Sequence, residues 1–492
     1  MLESAEVGHR IEKSRYEREE PKLRERLLAG QFALGTRKRG PILLLLSGIE
    51  GGGRGDTANA LNAWMDPRHI RTYAFGARTP EEAARPLAWR FWRALPPRGT
   101  LGIFMNAWYR ELIAARVLGD MPDGEFNAML HEIRQFERML TDEGVFLLKF
   151  WIHLSRDALR QRLREYQKDP RTSWRVGPED RRAYRLYSRY RDIWEHMLRE
   201  TSLGAAPWYV VEGTDPRYRM LTIGGILADT MRHVNAGAKP TPGKAPPPPP
   251  AVIGNVAVIR NLDLAQRLDQ SDYERRLGKW QGRLAQSSRR KRFRDHAMVL
   301  VFEGSDAAGK GGAIRRVAGA LDARQYVIVP VAAPTEEERA QPYLWRFWRQ
   351  VPALGGITIF DRSWYGRVLV ERVEGYCSVP DWVRAYDEIN QFENQLVGSG
   401  IIVCKFWLQI SKAEQLRRFK YREKTPFKNF KITPDDWRNR KKWAAYEQAV
   451  ADMVDRTSTE IAPWTLVEAE DKNFARVKVL KTIALALERA LR

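Results

Sequence analysis

The sequence predicts an α/β protein made of two tandem α-β-α domains, each with a parallel central sheet covered by helices on both faces. Three observations predict it. The 492-residue chain repeats itself at a constant offset. Within each repeat, short apolar runs alternate with amphipathic helical patterns. One apolar run opens onto a glycine-rich loop that leads into a further helical pattern.

The repeat is visible in four places. Trp89-Arg90-Phe91-Trp92-Arg93 returns as Trp345-Arg346-Phe347-Trp348-Arg349, and Gln135-Phe136-Glu137 as Gln391-Phe392-Glu393. Lys149-Phe150-Trp151 returns as Lys405-Phe406-Trp407, and Ala206-Pro207-Trp208 as Ala462-Pro463-Trp464. Every pair is separated by 256 residues, which leaves almost no net insertion between the copies. One ancestral domain was duplicated, and both copies are expected to keep its fold. The segment Gly237 to Pro250 reads GAKPTPGKAPPPPP. Its five consecutive prolines cannot enter a helix or a central strand, so a stiff, exposed linker is expected there. The expected boundaries are 1–235 for the first domain, 236–252 for the linker and 253–492 for the second domain.

The strands expected in the second copy are Met298–Phe302, Tyr326–Val331, Thr358–Phe360, Ile401–Leu408 and Trp464–Val467. Amphipathic stretches such as Trp382–Val397 and Lys412–Tyr421 lie between them. In the first copy Ile42 to Leu46 suits a buried strand. Such continuous apolar runs fit strands covered on both faces, the situation of a parallel sheet.

The bulk numbers exclude several classes. Apolar residues make up 43% of the chain, enough for a core in each half. No stretch of 18 or more apolar residues exists, so no membrane partner is expected. Met1 to Ser14 is charged and lacks a signal-peptide core. Two cysteines, Cys377 and Cys404, offer neither a disulfide framework nor a metal cluster. A cytoplasmic protein is the expectation. The net charge of +22 means a polyanion partner or a basic, soluble surface, and charge alone does not separate nucleic acid from a phosphate polymer.

The chemistry is read from three motifs. The first follows the strand Val299–Phe302: Gly304-Ser305-Asp306-Ala307-Ala308-Gly309-Lys310, then a helix from about Gly311. This is G-x-x-x-x-G-K in a strand–loop–helix context. Gly304, Gly309 and Gly311 let backbone N–H groups converge on phosphate oxygens, the helix N-terminus adds positive potential, and Lys310 neutralises the outer phosphates. A glycine-rich turn without a ligand is the bland alternative, and the lysine and the context weigh against it. The residue after the lysine is Gly311 rather than Ser or Thr, so the usual Mg²⁺-holding hydroxyl is missing. Asp306 is the substitute, since a carboxylate is a good Mg²⁺ ligand. A loop-capping aspartate is the competing role.

The second motif closes the strand Gly356–Phe360: Asp361-Arg362-Ser363-Trp364-Tyr365-Gly366-Arg367. An aspartate at the carboxyl end of a strand beside the phosphate loop is the Walker B placement for Mg²⁺. Arg362 and Arg367 would reach transferring phosphates. Glu371, one turn past Arg367, is a base or water-mediated metal ligand, or else a solvent-facing ion-pair partner. The third motif is Arg417 to Lys442, with eleven Lys or Arg residues against three acids. Its Arg422, Lys424, Lys428 and Lys431, interrupted by Pro426 and Pro434, suit a mobile basic lid over phosphates, with a solvated basic hairpin as the alternative.

These residues resemble the type 2 polyphosphate kinases. The loop of that family reads G-x-D-x-x-G-K-G, which accounts for both Asp306 and Gly311. The family resemblance extends through Phe360-Asp361-Arg362-Ser363-Trp364-Tyr365-Gly366-Arg367 and the lid segment Lys420 to Lys428 with Lys431 and Asp435-Asp436-Trp437. It covers Leu262 to Arg492 and, more weakly, Arg15 to Val234. It implies two P-loop kinase-like domains, Mg²⁺ on Asp306 and Asp361, and phosphate binding by Lys310, Arg362 and lid residues such as Arg422. The tandem arrangement is similar to the fused subgroup described as polyphosphate:AMP phosphotransferases. The resemblance therefore implies inorganic polyphosphate and a nucleotide, AMP or ADP, as partners, with phosphoryl transfer from polyphosphate to AMP.

The first copy departs from the pattern. Its loop reads Gly48-Ile49-Glu50-Gly51-Gly52-Gly53-Arg54-Gly55, so Lys310 corresponds to Arg54 and Asp306 to Glu50. Asp361-Arg362-Ser363 corresponds to Met105-Asn106-Ala107, and a methionine does not bind Mg²⁺. Gly366 and Arg367 become Arg110 and Glu111. The first domain is read as catalytically inactive, serving as a structural partner or a guide for the polyanion. The competing functions are a polyphosphate-dependent nucleoside diphosphate kinase making ATP or GTP, an ATP-dependent small-molecule kinase, and a basic nucleic-acid-binding protein with a nucleotide switch. No RNA- or DNA-binding motif accompanies the charge, so nucleic acid is not the expected partner. Self-association into a homo-oligomer stays open.

Overall fold

The computed structural model describes residues 1–240, 256–426 and 429–492. The strands of the first copy are β1 (Ile42–Gly48), β2 (Ile70–Ala74), β3 (Leu101–Met105), β4 (Phe146–His153) and β5 (Trp208–Glu212). Those of the second are β6 (Ala297–Gly304), β7 (Tyr326–Pro330), β8 (Ile357–Asp361), β9 (Ile401–Gln409) and β10 (Trp464–Glu468). Each copy forms one five-stranded sheet, ordered β2-β3-β1-β4-β5 and β10-β9-β6-β8-β7. Taken from the other edge, the second order repeats the first position by position. All the pairings are parallel.

The central strands explain why the sheet forms. Leu43, Leu44, Leu45 and Leu46 are wholly buried although leucine lacks the branching that favours strands. Burial at roughly 1.5–3 kcal/mol per side chain outweighs that weak preference. On one face of the second sheet, Leu300, Phe302, Ile359 and Phe406 pack with Val479, Leu480, Ile483 and Leu487 of the helix Lys472–Ala490. Met220, Ile223, Leu227 and Met231 of the helix Pro216–Asn235 meet the first sheet in the same way.

Strand β6 runs two residues further than the apolar pattern predicts. Glu303 and Gly304 stay in the ladder, paired with Trp407 and Leu408 of β9. Hydrophobic periodicity missed Glu303 because a glutamate seldom sits, as here, buried in a strand. The other expected strands appear within a residue or so of their predicted limits, and the stretch Trp382–Val397 lies in the helix Val379–Gly398. Residues 241–250 of the proline-rich segment lie outside the described residues.

The described residues fall into two compact units. One contains Met1–Arg78, the first copy from Arg90 onward, and Pro334–Trp345; the other contains Thr79–Trp89, the second copy up to Ala333, and Arg346–Arg492. Among the described residues no helix is long and apolar enough to cross a membrane.

A buried ion pair ties each sheet to the turn after its third strand. Lys405 on β9 reaches Glu393 at 2.7 Å, with neither exposed beyond 1%. Its ammonium also donates to Thr457 O at 2.6 Å. Glu393 Oε1 accepts from Trp364 Nε1 at 3.1 Å and from the Tyr365 hydroxyl at 2.7 Å. In the first copy Lys149, Glu137, Trp108, Tyr109 and Thr201 make the same bonds. Every charge in this network has partners, which a buried ion pair requires. Trp364 and Tyr365 follow directly on Asp361-Arg362-Ser363, so the network fixes where the end of β8 points.

Candidate active site

The site forms at the carboxyl ends of β6 and β8, which the register brings side by side: Phe302 lies opposite Asp361. Gly304 has φ +150°, and a Cβ there would stand 2.6 Å from the Leu408 carbonyl oxygen. Glycine is therefore the residue that fits. The loop then turns through Ala307 at φ +64° and Gly309 at φ +113°, the N-cap of the helix Lys310–Ala318. This geometry presents the helix N-terminus to the loop, a natural anion site.

Arg418, buried, braces the loop. Its Nη1 donates to Ala307 O at 2.9 Å and Ala308 O at 3.0 Å. Its Nη2 donates to Ala469 O and Glu470 O at 2.7 and 2.8 Å, and its Nε donates to Glu414 at 2.5 Å. Lys310 folds back and donates from Nζ to Gly304 O at 2.7 Å. Desolvation pulls the Lys310 pKa down, and Arg362 adds to the effect against the opposing carboxylates of Asp306, Asp361 and Glu303.

Asp361 ends β8 and is partly exposed. Arg362 adopts the left-handed region at φ +65°, a conformation costing a non-glycine residue roughly 1–2 kcal/mol. The turn aims its guanidinium at Asp306, whose Oδ1 accepts from Nη2 at 3.1 Å. Desolvation would lower the Arg362 pKa, but Asp306, Glu303 and Asp361 together raise it. Asp306 Oδ2 accepts from Asn439 Nδ2 at 2.9 Å. Glu303 accepts from the buried Ser363 hydroxyl at 2.8 Å, and its own desolvation raises its carboxyl pKa. Glu303, Gly304, Asp306, Arg362 and Asn439 edge a cleft of about 100 Å³ whose other wall is apolar and aromatic: Leu369, Val370, Trp407, Trp443 and Tyr446.

The predicted residues thus divide. Gly304, Asp306, Gly309, Lys310, Gly311, Asp361 and Arg362 are gathered in and around the loop. Arg367 pairs with Glu371 at 2.8 Å, and neither lines the cleft. Arg422 stands in the field of Asp436 and Asp306; burial lowers its pKa and those carboxylates oppose the shift. Lys424 is the exposed C-cap of the helix Lys412–Glu423. Lys428 lies outside the described residues, and Lys431 ends the short turn Asn429–Lys431. The basic segment forms the helices Lys412–Glu423 and Pro434–Lys441, with Trp437 packed on Phe419 at 5.2 Å between ring centroids.

Sequence reasoning missed Arg418, Asn439, Glu303 and Ser363. Arg418 was counted among the lid's charges, although Arg162 stands at the matching position of the first copy and also bonds the loop, donating to Gly51 O at 3.3 Å. Asn439 carries no charge and sat unremarked in a basic run.

The first copy has the same loop shape with other groups on it. Arg54 pairs with Glu50 at 2.5 Å and donates to Asn106 Oδ1 at 2.6 Å. Met105 ends β3 in the place of Asp361. The buried Arg219 donates to Gly52 O at 3.2 Å and Gly213 O at 3.1 Å, where the second copy has Ala475.

The family model for Polyphosphate kinase 2 matches residues 10–239 and 267–492. The polyphosphate:AMP phosphotransferase of Pseudomonas aeruginosa is 56% identical over 492 residues, covering 100% of this chain and 99% of that protein. The polyphosphate:AMP phosphotransferase of Acinetobacter johnsonii is 36% identical over 487 residues, covering 94% and 95%. A crystal structure of a polyphosphate kinase 2 from Pseudomonas aeruginosa PA01 superposes with a TM-score of 0.90 at 54% identity, covering 100% of this chain and 99% of that one.

Proposed function

The chain belongs to the polyphosphate kinase 2 family, and on that premise we propose that its second copy transfers a terminal phosphoryl group from inorganic polyphosphate to AMP, giving ADP. The observation that carries this reading is the convergence of Asp306, Lys310, Asp361 and Arg362 on one phosphate loop, in the second copy and not in the first. The apolar and aromatic wall of the same cleft suits a nucleoside.

The residues present fit a divalent cation. Asp306 and Asp361 supply hard carboxylate oxygens beside the loop, and among the described residues no third His, Cys, Asp or Glu completes a closed cluster. Such an open pair suits Mg²⁺, which keeps several water and phosphate oxygens of its own. Asp306 and Asp361 would hold Mg²⁺, which would supply charge neutralisation to the phosphates.

The protein's own part is positioning and charge. Lys310 and Arg362 stabilise the charge that spreads over the equatorial oxygens of the transferred group. The loop N–H groups, braced by Arg418, hold the donor chain. Two anionic substrates repel, and the cations of the segment Arg417 to Lys442, Arg422 among them, allow them to approach in line. In the transfer, an AMP phosphate oxygen forms the new P–O bond while the bridging oxygen of the polyphosphate leaves with its electron pair. Arg367 and Glu371, paired to each other, support this arrangement from outside the cleft. Lys424, Lys428 and Lys431 of the same segment add positive charge that favours a polyanionic donor. The first copy lacks the aspartate after β3 and does no chemistry. The two cysteines are free thiols, which suits the reducing cytoplasm.

Purified protein given Mg²⁺, AMP and long-chain polyphosphate is expected to form ADP. ATP formation from ADP, with none of ADP from AMP, would instead assign a nucleoside diphosphate kinase.

A further inference from the structure

The first copy keeps a cleft at the position of the active site, and it is larger: about 350 Å³ against about 100 Å³. Its phosphate end has changed purpose. Arg54, the cation of the loop, is held by Glu50 and Asn106, and the metal-binding aspartate is replaced by Met105. A polyphosphate chain finds little there to neutralise it.

The other end keeps an aromatic wall but rearranges it, since Trp443 of the second cleft corresponds to Tyr187, which does not line the first. Trp194 stands where the second copy has Val450. Its ring centroid lies 5.3 Å from that of Trp151 and 5.2 Å from that of Tyr190, and all three residues line the cleft. Trp151 is 1% exposed, and its indole N–H has no hydrogen-bond partner. The matching Trp407 donates to Gln409 at 2.7 Å. In the first copy that acceptor has become His153, whose Nε2 faces Glu6 at 2.8 Å instead. The tryptophan was kept, its amide acceptor was lost, and the Nδ1 of the His153 that replaces it is likewise buried without a partner. Buried N–H groups without partners are rare, and one lining a cleft calls for an acceptor on whatever fills it. The charged lining here is mixed: Glu111 and Glu179 stand with Arg110, which reaches Glu179 at 3.6 Å, and with Arg182, exposed and with no ion-pair partner among the described residues.

We propose that this cleft binds a nucleoside monophosphate and does not turn it over. The aromatic residues take the base, a ring or carbonyl acceptor of the base receives the Trp151 N–H, and Arg110 and Arg182 take the single phosphate. A mononucleotide fits better than a polyphosphate because the lining carboxylates Glu50, Glu111 and Glu179 offset the arginines of the cleft, leaving room for one phosphate but not for a long polyanion.

The test is the number of AMP molecules bound per full-length chain, by isothermal titration calorimetry without polyphosphate. The variants are Ala114→Trp, which fills the cleft from a residue that lines it, and Arg182→Glu, which reverses the charge of a surface residue and should leave the fold intact. Ala114→Trp is expected to remove one bound AMP per chain, and Arg182→Glu to weaken one site at least tenfold. Both outcomes are independent of whether the second copy phosphorylates AMP, because the readout is the site lost on changing the first copy. An AMP count and affinity identical in wild type and in Arg182→Glu would overturn the proposal, whatever that count is.

Discussion

The two copies differ least where the fold is held and most where phosphate would be. Lys149–Glu137 and Lys405–Glu393 are the same buried pair, at 2.6 and 2.7 Å, with the same Trp, Tyr and Thr partners. The strand order is the same in both sheets. At the loop, Arg54, Glu50, Met105 and Asn106 stand for Lys310, Asp306, Asp361 and Arg362. The anchor therefore goes with the sheet that both copies share, while the loop charges go with the chemistry proposed for the second copy alone. One conformational trace survives the exchange: Asn106 keeps the positive φ of Arg362, at +54° against +65°. Asparagine tolerates that region, so the turn persists without the arginine that it serves in the second copy.

The loop lysine separates the copies most widely. Lys310→Met is expected to lower kcat for ADP formation by about a hundredfold or more, the scale of removing one preorganised charge from a transition state. Arg54→Ala is expected to change it less than about twofold, and steady-state rates of the two variants check the contrast. A large loss in Arg54→Ala would break the asymmetry.

The buried pairs should make the copies look alike. Lys405→Met and Lys149→Met each leave a glutamate buried without its counter-charge, a cost of about 3–5 kcal/mol. Urea unfolding is expected to show losses of similar size, with the Lys405 variant also losing activity because Tyr365 and the end of β8 shift. A harmless Lys149→Met would mean that the first sheet does not depend on the network.

Asn439→Ala gives a smaller effect and makes the second copy resemble the first, which has Ala183 there. Losing the hydrogen bond to Asp306 should cost about 1.5 kcal/mol, or roughly a tenfold drop in kcat/KM.

Much of this was legible in the sequence. The offset of 256 residues, the alternating elements and the loop G-x-x-x-x-G-K were enough to expect two parallel-sheet domains, and two five-stranded parallel sheets are found. Local pattern reaches the loop because glycine and lysine act through the backbone they sit on. It does not reach Arg418 or Asn439, which act across more than a hundred residues on carbonyls and a carboxylate of the loop. It also passed over Glu303, which is buried in the strand and bonded by Ser363. For Glu371 the sequence left two roles open, a catalytic group or an ion-pair partner, and its carboxylate is found on Arg367.

The central claim is that one loop of two carries the chemistry, with the aspartate ending β8 at its heart. The most direct test is ADP formation by the full-length Asp361→Asn variant with Mg²⁺, AMP and polyphosphate. The account predicts turnover below about a hundredth of wild type with an unchanged circular dichroism spectrum and unfolding midpoint. Near-normal turnover in that variant would contradict it.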